Sequence, residues 1–154
     1  HIHRPYHAHL QSELQRIRVE WGTALRIVLH SMPPLRQHPG QVAAPRIVLG
    51  DRFGASCGGS LIARAFRHLE KSGYEAAHNR PYAGGYVLDR HAAPTSGIHA
   101  LQIEVCRSTY LDNRMDQTTS GLKAVAKMLA GLVRELGAET ARLADRGRLD
   151  EAAE

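Results

Sequence analysis

The chain has only two cysteines, Cys57 and Cys106, and they lack Cys-x-x-Cys spacing. That usage argues against a disulfide framework and fits two unpaired thiols in a reducing cytoplasm. No apolar run approaches the roughly 20 residues that a membrane-spanning helix needs, so such a helix is excluded. There is no block of like charge either. Twenty Lys and Arg against fifteen Asp and Glu leave a formal charge of +5 and a pI near 9.6, spread along the chain. This balance suits an acidic ligand and disfavours nucleic acid as a partner. No internal repeat is present. The first residue is His1 rather than Met, and residues 1–9 resemble neither a signal nor a transit peptide, so the start is expected to lie inside a longer protein.

The 154 residues suffice for one domain with a sizeable core, since burial becomes efficient at roughly 150 residues. Hydrophobic residues at 43% and charged residues at 23% are those of a soluble globular chain. His7, Leu10, Leu14, Ile17 and Trp21 recur at intervals of three and four, which predicts a helix over 6–21 with Pro5 at its start and Gly22 as its stop. Ala24 to Leu29 reads as a buried strand despite Arg26. Pro33, Pro34, Pro39, Gly40 and Pro45 then impose a long loop, which in a compact domain is more often functional than idle.

Further strands are expected at 47–49, 74–78 and 100–105, with a helix over 60–72 capped by Ser60 and another over 120–136. Residues 79–98 read as loop, with a short strand at Tyr86–Leu88. In the 100–105 strand, Leu101, Ile103 and Val105 share one face while Gln102 and Glu104 share the other. The expected fold class is α/β, a mixed, mostly parallel sheet flanked by helices. Residues 1–136 form one domain, and 137–154 form a polar tail or a continuation of the last helix.

Several residues could carry chemistry. His30 stands at the end of a buried strand, where a neutral imidazole makes a good zinc ligand, although a single His followed by Ser and Met also reads as a structural residue. Glu104 lies on a strand expected to be covered on both faces, so its carboxylate needs a partner, a cleft or a metal. A salt bridge to an arginine would serve equally. Arg80 sits on a glycine-containing loop and has the planar fork that suits a carboxylate, against the plain alternative of a solvated surface arginine. Tyr82 could orient a carbonyl oxygen or simply pack, and Gly84 and Gly85 would allow close backbone approach to a ligand. His1, His3, His7 and His9 cluster without an evident third ligand, and His7 is expected to pack on the apolar stripe. Asp51 and Arg52 read as an internal ion pair or as a contribution to the pocket, and Cys57 as a buried thiol rather than a nucleophile.

Four ordered segments, Leu29-His30-Ser31-Met32-Pro33, Val48-Leu49-Gly50-Asp51-Arg52-Phe53-Gly54, Asn79-Arg80-Pro81-Tyr82-Ala83-Gly84-Gly85-Tyr86 and Leu101-Gln102-Ile103-Glu104-Val105, together with His3-Arg4-Pro5-Tyr6-His7, carry a family likeness. Across most of residues 3–111 the chain resembles the N-formylglutamate amidohydrolases (deformylases). The resemblance implies a zinc exopeptidase-like (carboxypeptidase-like) fold, here incomplete at its N-terminus. It also implies metal-dependent hydrolysis of the amide of an N-acyl acidic amino acid, N-formylglutamate giving formate and glutamate, in cytoplasmic histidine catabolism. It makes His30 one zinc ligand and Glu104 the general base and acid, with Arg4, Arg80, Arg90, Tyr82, Gly84 and Gly85 receiving the dicarboxylate.

Two departures stand out. The family's other zinc ligands lie in an upstream Pro-His-Ser-Gly part that this chain lacks, and Val28 stands where the family usually has an acidic residue two positions before the His. The competing expectations are a related zinc peptidase and a degenerate relative that binds anions without turnover.

Overall fold

The computed structural model describes residues 2–37, 39–40 and 43–151, with side chains up to residue 149. His1, residues 152–154 of the tail and part of the 33–45 loop lie outside the described residues. The elements are α1 (His3–Trp21), β1 (Ala24–Met32), β2 (Ile47–Gly50), α2 (Gly59–Lys71), β3 (Ala76–His78), α3 (Tyr86–His91), β4 (Ile98–Cys106) and α4 (Gly121–Glu151). The fold is α/β with a mixed four-stranded sheet in the order β1-β4-β2-β3. β1 runs parallel to β4 and β2 parallel to β3, while β2 and β4 are antiparallel.

Gly22 ends α1 in a left-handed turn at φ 83°, its N–H bonded to the Arg18 carbonyl at 2.7 Å, and the chain reverses into β1. Period-two alternation then sorts the strands. Ile47, Leu49, Leu101, Ile103 and Val105 turn to one face and pack with Leu61, Ala65 and Leu69 of α2 and Val125, Met128, Leu132 and Leu136 of α4. The opposite face has a smaller cluster of Met32, Val48 and Cys106, flanked by Leu35, Ala77 and Tyr82. This second face carries His30, Gln102 and Glu104.

Several expectations change. β1 continues past Leu29 to Met32, so His30 lies within the strand rather than at its end. Tyr86–Leu88 is helical, as part of α3. Ser60 is inside α2, whose N-cap is Gly58. Trp21 ends the α1 stripe but is 62% exposed, since only His7 and Leu14 of that helix are buried. β3 begins at Ala76 rather than Tyr74, while α4 follows the expected alternative of a continued helix, running past Gly137 to Glu151.

At the end of β2 the backbone of the 79–85 loop lies directly on Gly50. A Cβ there would stand 2.7 Å from the Ala83 carbonyl carbon and 2.8 Å from both Gly84 N and the Tyr82 oxygen. Replacing Gly50 with Ala is therefore expected to destabilise the fold by about 1–3 kcal/mol, the usual penalty of overpacking, and to displace the loop. Urea unfolding checks this, and an unchanged midpoint would refute the close approach.

Candidate active site

The register of β1 and β4 sets His30 beside Glu104. His30 Nδ1 lies 3.3 Å from Glu104 Oε1, the imidazole half exposed and the carboxylate buried. Gln102 Nε2 donates to the same oxygen at 3.0 Å, so the buried carboxylate has two nitrogen partners in place of water. Val28 faces Gln102 in the register. With no acid at position 28, the carboxylate that orients His30 is Glu104 itself.

His30, Ser31, Met32, Pro33, Tyr82 and Glu104 line an open hollow of about 350 Å³. Tyr82 reaches it by an indirect route. β2 and β3 run opposite to β4, so the loop after β3 leaves the sheet away from the end where His30 stands. It returns by crossing Gly50 on the site face, which brings Tyr82 against Met32, Val48 and Cys106. Tyr82 therefore joins His30 and Glu104 through a loop folded back across the sheet.

A polar brace fixes that loop. The Asp51 N–H donates to Asn79 Oδ1 at 2.9 Å, and Asn79 Nδ2 returns a bond to Asp51 Oδ1 at 2.7 Å. Gly54 N at 3.0 Å and His78 Nε2 at 3.0 Å meet the same Asp51 oxygen. Asn79 holds the left-handed conformation at φ 60°, which Asn tolerates better than most residues. Asp51 and Arg52 do not pair with each other as expected. Arg52 Nε instead bonds Asp89 Oδ1 at 2.6 Å, and its Nη1 donates to the Gly84 carbonyl at 3.2 Å, tying the loop to α3.

The remaining candidates are spread around this centre. Arg80 is exposed and has no hydrogen bond or ion pair among the described residues, two positions from Tyr82. Arg4 is likewise exposed at the start of α1. Arg90 Nη1 donates to the Tyr86 hydroxyl at 2.6 Å, within α3. Gly84 packs so closely on Leu88 that a Cβ would meet Leu88 Cδ2 at 2.5 Å, while Gly85 faces open space. The hollow holding His30 and Glu104 is not lined by Arg4, Arg80 or Arg90. The buried Cys57 thiol is pushed up to about 12, by burial first and the charge of Asp51 second, which makes it inert as a nucleophile at neutral pH.

Whether these side chains fit a metal can be tested on the donor set. The half-exposed imidazole is a suitable ligand, but catalytic zinc typically takes three from protein. Among the described residues no group of three or more His, Cys, Asp or Glu could hold a metal ion. The described residues therefore do not make a zinc site by themselves.

Sequence reasoning missed one feature, a pair of imidazoles between α1 and α3. His7 Nδ1 and His91 Nε2 are 2.8 Å apart, both rings buried, and the rings stack with centroids 5.1 Å apart. Helical spacing placed His7 inward, but its partner is 84 residues away in the chain. Both imidazoles titrate below the ordinary value of 6.5, burial being the largest cause and neighbouring positive charges the next. The fold thus keeps them neutral where the unfolded chain would take up protons. Their contribution is complete above about pH 6.5 and is lost as pH falls through that value toward the lowered folded ones. The unfolding midpoint should drop between about pH 7 and pH 5, and a His7→Gln, His91→Gln double variant should flatten the drop. An undiminished slope would assign the acid sensitivity elsewhere, for example to buried His99.

Residues 1–111 match the family model of N-formylglutamate amidohydrolase. The chain is 36% identical over 112 residues to the N-formylglutamate deformylase of Pseudomonas putida, covering 72% of this chain and 42% of that protein. It is 31% identical over 134 residues to the N-formylglutamate deformylase of Pseudomonas aeruginosa, covering 86% and 49%. The crystal structure of N-formylglutamate amidohydrolase from Ralstonia eutropha superposes with a TM-score of 0.68 at 31% identity, over 96% of this chain and 51% of that one. A gene product of Agrobacterium tumefaciens, with a TM-score of 0.54 at 19% identity, over 92% of this chain and 51% of that one, shares the fold. The chain spans about half the length of the relatives it matches. No helix among the described residues is long and apolar enough to cross a membrane.

Proposed function

The chain belongs to the N-formylglutamate amidohydrolase family, and we propose that its protein hydrolyses the amide of an N-acyl acidic amino acid, above all N-formylglutamate to formate and glutamate. The carrying observation is the His30–Glu104 contact at 3.3 Å beside an open hollow. Glu104 takes a proton from the attacking water as its oxygen bonds to the formyl carbon, then delivers that proton to the nitrogen as the C–N bond breaks. Gln102 and His30 hold the carboxylate oxygen in place, and the Tyr82 hydroxyl, from the wall of the hollow, donates to the carbonyl oxygen. The guanidinium groups of Arg80, Arg4 and Arg90 supply positive charge for the two substrate carboxylates, with Gly85 leaving backbone open on the same loop.

We further propose that His30 is one ligand of a zinc or similar divalent ion whose other ligands come from outside residues 1–154. When bound, such an ion polarises the carbonyl and acidifies its water. The mixed sheet with its site on β1 and β4 is compatible with a carboxypeptidase-like zinc exopeptidase fold for the complete protein. The two unpaired buried thiols support a cytoplasmic setting. The incomplete metal site and Val28 favour a second reading, in which the chain binds anions without turnover.

Formate release separates the two. Residues 1–154 alone should be inactive. In the complete protein, Glu104→Gln should lower kcat by about 100-fold or more with metal retained, and His30→Ala should lose metal and activity together. Arg80→Ala should raise KM with little change in kcat. Chelator-insensitive hydrolysis by residues 1–154 would remove the metal assignment, and full activity in Glu104→Gln would remove the proton role.

A further inference from the structure

Arg26 lies on β1, within the sheet. It precedes His30 by four residues on β1 and therefore shares its face of the sheet, the face of Gln102 and Glu104. Its Nη2 donates to the Tyr6 hydroxyl at 3.1 Å. Its Nη1 is buried and has no hydrogen-bond partner among the described residues. A guanidinium cannot shed its proton, so an unmet buried N–H there carries the full desolvation of a charged donor.

The surroundings deepen the imbalance. Arg90 lies over the Tyr86 ring and bonds its hydroxyl. His7 and His91 stack beside them, and His3 packs against both His7 and Tyr86. The charges that act on His7 and His91, beyond the pair itself, are those of His3, Arg26 and Arg90, and no carboxylate is among them. The nearby acids are engaged elsewhere, Asp89 with Arg52 and Glu104 with His30 and Gln102. Among the described residues, Arg26 thus keeps one buried N–H with neither a hydrogen bond nor a carboxylate partner, while Arg90 stands nearby, exposed to solvent. An anionic ligand would satisfy that buried donor with a charge-assisted hydrogen bond.

The spacing matches the substrate class of the proposed function, on which this inference rests. Four strand residues separate the Cα atoms of Arg26 and His30 by about 13 Å, a gap that an extended arginine and a glutamate-sized molecule together can bridge. We propose that Arg26, assisted by Arg90, binds the side-chain carboxylate of the acyl-amino acid and so sets the preference for acidic substrates. Tyr6 positions the guanidinium by holding Nη2, which leaves Nη1 for the ligand.

Calorimetric titration with N-formylglutamate and its uncharged isostere N-formylglutamine tests this on the complete protein. Arg26→Gln should weaken N-formylglutamate binding by about tenfold or more and leave N-formylglutamine unchanged, while Arg26→Lys keeps part of the preference. Unfolding midpoints measured alongside separate a binding loss from a folding loss, because misfolding would weaken both ligands equally. Retention of the full preference in Arg26→Gln overturns the proposal, and loss of that preference in Arg80→Ala instead would place the carboxylate site on the 79–85 loop with the proposed activity intact. Failure of the folded, unsubstituted protein to bind or hydrolyse N-formylglutamate would overturn the proposed function itself and this inference with it.

Discussion

The parallel ladder between β1 and β4 is the constraint on which the rest depends. It runs in unbroken register from Ala24 beside Ile98 to Met32 beside Cys106. Because side chains alternate, a slip of one residue would turn His30 toward α4 and away from Glu104. The register is held from behind by Leu101, Ile103 and Val105, locked into the large core with α2 and α4. Apolar packing on one face thus fixes a polar contact on the other. The buried carboxylate is tolerable there because Gln102 and His30 both direct nitrogen at its oxygen.

The second half of the sheet serves a different purpose. β2 and β3 point the opposite way from β1 and β4, and they would carry their loop away from the site unless it folded back. Gly50 makes room for the return, and the reciprocal bonds of Asp51 and Asn79 hold its entry. Arg52 then fastens the far end through Asp89 and Gly84, so α3 is tied on one side to this loop and on the other, through His91, to α1. The first helix, the loop and α3 thereby form a single wall over the site face.

Much of this was legible in the residues. Alternation along 100–105 separated Leu101, Ile103 and Val105 from Gln102 and Glu104, which is the division the two faces show. Helical spacing turned His7 and Leu14 inward. What stayed hidden depends on contacts distant in sequence. Tyr86 and Val87 favour strand by local propensity, yet α3 forms because Asp89, Arg90 and His91 each find a partner in the helical arrangement. Arg26 looked like a misfit in a buried strand, and only the fold shows it reaching Tyr6 on α1. Asp51 and Arg52 are neighbours in the chain, but adjacent strand-end side chains diverge, and each pairs across the fold instead.

The proposed chemistry requires His30 and Glu104 to act as one unit. A double-mutant cycle on kcat/KM in the complete protein measures this directly, with His30→Ala, Glu104→Gln and the pair compared under saturating metal. Strong non-additivity is expected, the double variant being no slower than the worse single variant. Losses that multiply independently would contradict it.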